Sequence, residues 1–153
     1  MNFTSLRTAT IVSDGLGYGL CPPPDKEVKQ KLTISQTGWV WLSAYTYGDG
    51  YPYHHVGTNQ RNVGKDLAGK LLAAIGDCFS RYEVEELATD IGTWELHLKD
   101  MDGSDSEFFG SLCSRFDYRC EDLSALIRRE LGNETLILFD GNLGSDWEDE
   151  EDG

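Results

Sequence analysis

Aromatic and imidazole side chains crowd one stretch of this sequence. Tyr45, Tyr47, Asp49, Tyr51, Tyr53, His54 and His55 fall within eleven residues, around Gly48, Gly50 and Pro52. Tyrosine offers a large rigid surface with a polar tip, which suits recognition of a protein or a sugar. The competing account is an ordered loop whose rings pack onto a sheet. Neighbouring histidines in an extended chain point to opposite sides, which argues against a metal ion shared by His54 and His55. The seven residues are therefore read as a partner-binding surface.

Other groups are weaker candidates. His97 shares the polar face of a predicted strand with Glu95 and Lys99, and Ser111 and Cys113 follow across a predicted hairpin. A nucleophile, base and orienting group cannot be assembled from that spacing, so a solvated strand face is the simpler account. Asp100, Asp102 and Asp105 suggest calcium, yet the glycine at the sixth loop position and the acid at the twelfth are missing, and a polar turn fits better. Gly15, Gly17 and Gly19 do not complete a dinucleotide fingerprint, because Leu20 stands where its third glycine belongs. Cys21, Cys78, Cys113 and Cys120 lack the close spacing of zinc ligands and are read as reduced thiols. No cofactor or metal is expected.

Charge narrows the partners. The 153 residues carry 27 acidic against 13 basic side chains, a formal net charge of −14. Asp146, Glu148, Asp149, Glu150, Glu151 and Asp152 crowd the C-terminal end, and the remainder is still acidic. Such a field repels nucleic-acid phosphates and anionic membranes and attracts basic protein surfaces. No apolar run approaches the roughly 20 residues of a membrane-spanning helix, and residues 1–14 lack a secretory layout, so a cytoplasmic location is expected.

The elements that must position these groups follow from periodicity. Residues 1–29, with their glycines and Pro22–Pro23–Pro24, read as an irregular arm. Residues 31–35 and 39–47 read as a hairpin turning at Gln36–Thr37–Gly38, with Trp39, Trp41, Ser43, Tyr45 and Tyr47 on one face of its second strand. Both faces of that strand are apolar enough that both are expected to be covered. Residues 48–61 read as a loop. Apolar spacing from Val63 to Tyr82 predicts a helix capped by Asn62. A second hairpin spans residues 93–99 and 106–112, with Trp94 facing the core. Glu121, Asp122, Arg128, Arg129 and Gly132 mark the two ends of a short helix, and residues 135–139 read as a last strand.

The expected fold is thus α+β, a mostly antiparallel sheet in the order ββ-α-ββ-α-β with two helices packed on it. It occupies residues 30–142, and residues 143–153 form a disordered acidic tail. With Gly110–Cys113 and Phe139–Asn142, this order resembles small bacterial or phage α+β proteins, a resemblance that assigns no functional residue. Charge and aromatics point to a non-enzymatic module that binds a basic protein, as an inhibitor, an immunity protein or an anti-defence protein that mimics nucleic acid. The alternative is a small hydrolase or transferase with a histidine-centred site.

Overall fold

Alternating apolar and polar side chains, period two, build most of this molecule. The computed structural model describes residues 2–15, 27–48, 53–82, 92–112, 114, 116–118 and 121–140. Four strands come first: β1 (Leu6–Asp14), β2 (Glu27–Ser35), β3 (Trp39–Thr46) and β4 (His54–Asn62). Helix α1 (Lys65–Ser80) follows, then β5 (Thr93–Asp100) and β6 (Asp105–Ser111). A two-stranded ribbon of β7 (Asp117–Tyr118) and β8 (Glu121–Asp122) leads into α2 (Leu123–Leu131). The six long strands form one antiparallel sheet in the order β4-β3-β2-β1-β5-β6. The fold class is α+β.

The arm expected over residues 1–29 is corrected for its first part, because β1 lies between β2 and β5 in the sheet. Its inward positions are Leu6, Ala9, Ile11 and Ser13, two of them too small to announce a buried strand. β2 begins at Glu27, before the predicted start, since Val28 and Gln30 already face inward. The loop expected over residues 48–61 is corrected from His54 onward. β4 is an exposed edge strand along its whole length, so nothing in its position demands apolar residues.

The last predicted strand is also corrected. Residues 135–139 pair with no strand, although Leu136, Leu138 and Phe139 are buried. Side chains satisfy this segment's backbone in place of a ladder. Gln30 accepts from the Ile137 amide at 2.7 Å and donates to the Thr135 carbonyl at 3.0 Å. The Ser13 hydroxyl donates to the Leu138 carbonyl at 2.8 Å, and Arg128 Nε to the Leu136 carbonyl at 2.8 Å. These bonds explain why Ser13, Gln30 and Arg128 can be buried, since a buried polar group is costly only when unpaired.

All helical packing falls on one side of the sheet. Leu71, Ile75 and Phe79 of α1 and Leu123, Ile127 and Leu131 of α2 join Ile11, Leu32, Ile34, Trp94, Leu96 and Leu98 in a single core. Trp94 is wholly buried, meeting Phe139 edge-on at 5.0 Å and Phe79 at 5.7 Å. Gly110 lies across from it, and a Cβ there would stand 2.5 Å from Trp94 Cζ2. Two turns were anticipated: Gly38 turns the first hairpin at φ 99°, and α2 runs from Asp122, which accepts from Ala125 N, to the left-handed Gly132. The α1 cap differs, since Gly64 holds that position and Asn62 Oδ1 accepts from the Gly64 amide at 2.9 Å.

Candidate functional site

Because both helices share one face, no described helix or strand covers the other. The expectation that both faces of β3 are covered is therefore corrected for the described residues. Register places Gln60, Trp41, Thr33, Thr10, His97 and Glu107 in one row across that open face. The adjacent row is Thr58, Ser43, Lys31, Val12, Glu95 and Phe109.

Aromatic residues mark the half built by β3 and β4. The Trp39 and Trp41 rings lie nearly parallel, 24° apart in plane and 6.4 Å between centroids. Trp39 is 40% exposed, and Trp41 Nε1 donates to Gln60 Oε1 at 3.1 Å. Further along β3 the Tyr45 ring meets His55 at 5.0 Å, and Lys29 Nζ stands 5.5 Å from the Tyr45 ring centre, within reach of a cation–π contact. The register shift between Ala44 and Tyr45 lets Tyr45 pair with His55 and leaves Val56 as the extra residue on β4. His55 Nε2 lies 3.2 Å from the Thr58 hydroxyl, which in turn lies 2.8 Å from the Ser43 hydroxyl.

The opposite half, on β5 and β6, is acidic. His97 is held between two carboxylates, with Nε2 3.4 Å from Glu95 and Nδ1 3.2 Å from Glu107. Asp105 and half-exposed Phe109 complete this half beside Lys99. The face thus joins an aromatic, lysine-bearing half to a carboxylate-bearing one. Among the described residues, His97 and its two carboxylates stand on the solvent-facing side of the sheet.

Tyr45, Tyr47, Tyr53, His54 and His55 all fall around the β3–β4 end of this face. Tyr47 and Tyr53 flank the two strands with ring centres 6.4 Å apart, and His54 pairs with Thr46 at the start of β4. Asp49 and Tyr51 lie outside the described residues. Sequence reasoning placed Trp39 and Trp41 on the same strand face as Tyr45 and Tyr47 but named only the tyrosines as contact residues, because it looked to the cluster of tyrosine and histidine that follows.

The aspartates considered for calcium have another role. The buried Asp100 carboxylate accepts backbone N–H groups from Asn2 at 2.9 Å, Asp102 at 3.0 Å and Ser104 at 2.9 Å, tying the N-terminal segment to the hairpin turn. The Asn2 bond leads in holding its pKa below the ordinary aspartate value. Among the described residues no group of three or more metal-ligating side chains is assembled. Cys78 is buried in α1, and the other three cysteines lie outside the described residues. No described helix is long and apolar enough to cross a membrane. No family model matches the chain, and no curated protein does.

Proposed function

We propose that this protein is a binding module and that the open face of its sheet docks a basic protein surface. The observation that carries the reading is the Trp39–Trp41 pair, two large parallel rings on a face that the described core does not need. Exposed tryptophan and tyrosine in a contiguous patch are the side chains that most often anchor protein interfaces. Gln60, Thr58, Ser43 and Thr33 surround them with hydroxyl and amide groups suited to a polar rim.

Electrostatics supports the choice of partner. Glu95, Asp105 and Glu107 lie on the same open face, across β2 and β1 from the aromatic half, and the chain's net charge of −14 draws a cationic surface toward them. Lys29 and Lys31 lie on the aromatic half, so recognition of positive charge is assigned to the β5–β6 half. In its finer form the reading is an inhibitor, immunity or anti-defence protein whose carboxylates stand in for phosphates in the groove of a nucleic-acid-handling partner.

The test compares capture by the wild-type chain with capture by Trp39→Ser, Trp41→Ser and, as a control on the outer face of α1, Asp66→Asn. A partner lost with either tryptophan and retained with the control supports the assignment. Retention by both tryptophan variants would move the contact surface elsewhere.

A further inference from the structure

On the covered side of the sheet, a cavity of about 320 Å³ lies where β3 and β4 extend past the end of α2. We propose that it binds a small organic monoanion, a carboxylate carried on an apolar body. The volume falls in the roughly 300–1,000 Å³ range of small-molecule pockets. Leu32, Val40, Leu42, Leu131 and Leu136 supply the apolar wall. The cavity opens to solvent at its mouth, and a ligand with an apolar body gains by covering the leucine and valine wall.

The polar groups sit at the lip. Asn59 and Arg61 are two residues apart on β4 and face the same side as Leu42 and Val40, their partners on β3. Arg61 Nη2 donates to the Leu131 carbonyl at the end of α2, which fixes the guanidinium at the cavity mouth. One bond leaves most of its five N–H donors available. Arg81, Arg128 and Arg129 each sit on a carboxylate, but Arg61 has none among the described residues, in a chain where acids outnumber bases 27 to 13. The Asn59 amide bonds no described residue and can add one more donor.

Chemistry then narrows the ligand. A guanidinium fork matches a carboxylate in two parallel hydrogen bonds. A dianion such as a phosphate monoester would bring a second negative charge into a strongly negative field with only one cation to meet it. The single cation beside a five-residue apolar wall therefore selects one charge and a hydrocarbon body.

Octanoate is the probe, titrated into the full chain with leucine methyl groups isotopically labelled, and octan-1-ol is the matched neutral control. Octanoate is expected to shift the Leu32, Leu42, Leu131 and Leu136 methyl signals and to bind roughly tenfold more tightly than the alcohol, a gain typical of one charge-assisted contact. Arg61→Gln keeps a donor for Leu131 and should remove that preference while leaving alcohol binding unchanged. Its unliganded methyl spectrum reports whether it is folded. Leu42→Trp, which fills the cavity, should abolish binding of both. The proposal is overturned if octanoate leaves these methyl signals unmoved, if wild type binds acid and alcohol equally, or if the preference survives in Arg61→Gln.

Discussion

Gln30, buried on β2, holds Ile137 in place across 107 positions of sequence: its side-chain oxygen accepts from the Ile137 amide at 2.7 Å. The same side chain donates to the Thr135 carbonyl, so one residue satisfies two backbone groups of a segment that has no strand partner. Replacing Gln30 by Leu strands both groups away from water. The expected loss is roughly 2–4 kcal/mol, about the penalty of two unsatisfied polar groups, read from urea unfolding. A loss under about 0.5 kcal/mol would mean that water or another side chain takes over.

A second prediction concerns the centre of the core. Trp94→Ala should cost roughly 3–5 kcal/mol, as for other buried aromatics cut to alanine. Gly110→Ala approaches the same ring from the opposite strand and should destabilise by roughly 1–3 kcal/mol through overpacking. Because the two act on one contact, Gly110→Ala should cost much less in a Trp94→Ala background. Additive losses in the double mutant would separate the glycine from the ring.

How far the fold could be read from the sequence depended on what each element asks of its residues. α2 was legible because Asp122 and Gly132 do local work at the two helix ends, one accepting from the Ala125 amide and the other closing the last turn in the left-handed conformation, independent of the tertiary structure. β5 was legible because Trp94, Leu96 and Leu98 are large and alternate. β1 was not, because its inward positions beside Ile11 are as small as Ala9 and Ser13, the latter occupied by a bond to Leu138. β4, a wholly exposed edge strand, has no apolar face to betray it. Residues 135–139 carry β-forming side chains for burial alone, and in place of a ladder their backbone is bonded by the side chains of Gln30 and Ser13, more than 100 positions away, and of Arg128 on the preceding helix. The site was half legible for a related reason: alternation gave the face of Trp39 and Trp41, but which face the helices cover is decided by chain crossings that no local pattern encodes.

Acid should loosen the attachment of the N-terminal segment. The Asp100 carboxylate is held below the ordinary aspartate value, first by the Asn2 amide and then by those of Ser104 and Asp102. A depressed folded pKa gives stability that is present above the unfolded value of about 3.9 and is lost as pH falls through the lower folded value. Asp100→Asn removes this charge and turns an amide NH2 toward one of the three donors. The variant should be less stable than wild type at neutral pH, and the difference should shrink as pH falls below about 4. Amide exchange at Asn2, Asp102 and Ser104 would show the same trend locally. A difference that stays constant from neutral pH down to the acid limit would remove the carboxylate's charge from the account.

The last prediction separates the two halves of the open face by kinetics. Charges act at a distance and guide encounter, whereas anchoring rings act once the surfaces have met. Neutralising Glu95 and Glu107 together, as Gln, should therefore mainly slow association with the captured partner. Salt should do the same to the wild-type chain, because the Debye length shortens from about 10 Å at 0.1 M toward 3 Å at 1 M. Trp41→Ala should leave association nearly unchanged and speed dissociation by roughly tenfold or more, as for an anchor worth about 1.4 kcal/mol or above. Tyr45→Ala should act in the same direction, and it also frees Lys29 from its ring. Surface-binding measurements at several salt concentrations resolve the two rates. Association that ignores both salt and the Glu95/Glu107 pair would remove the electrostatic half of the reading, and unchanged dissociation in Trp41→Ala would remove the aromatic half.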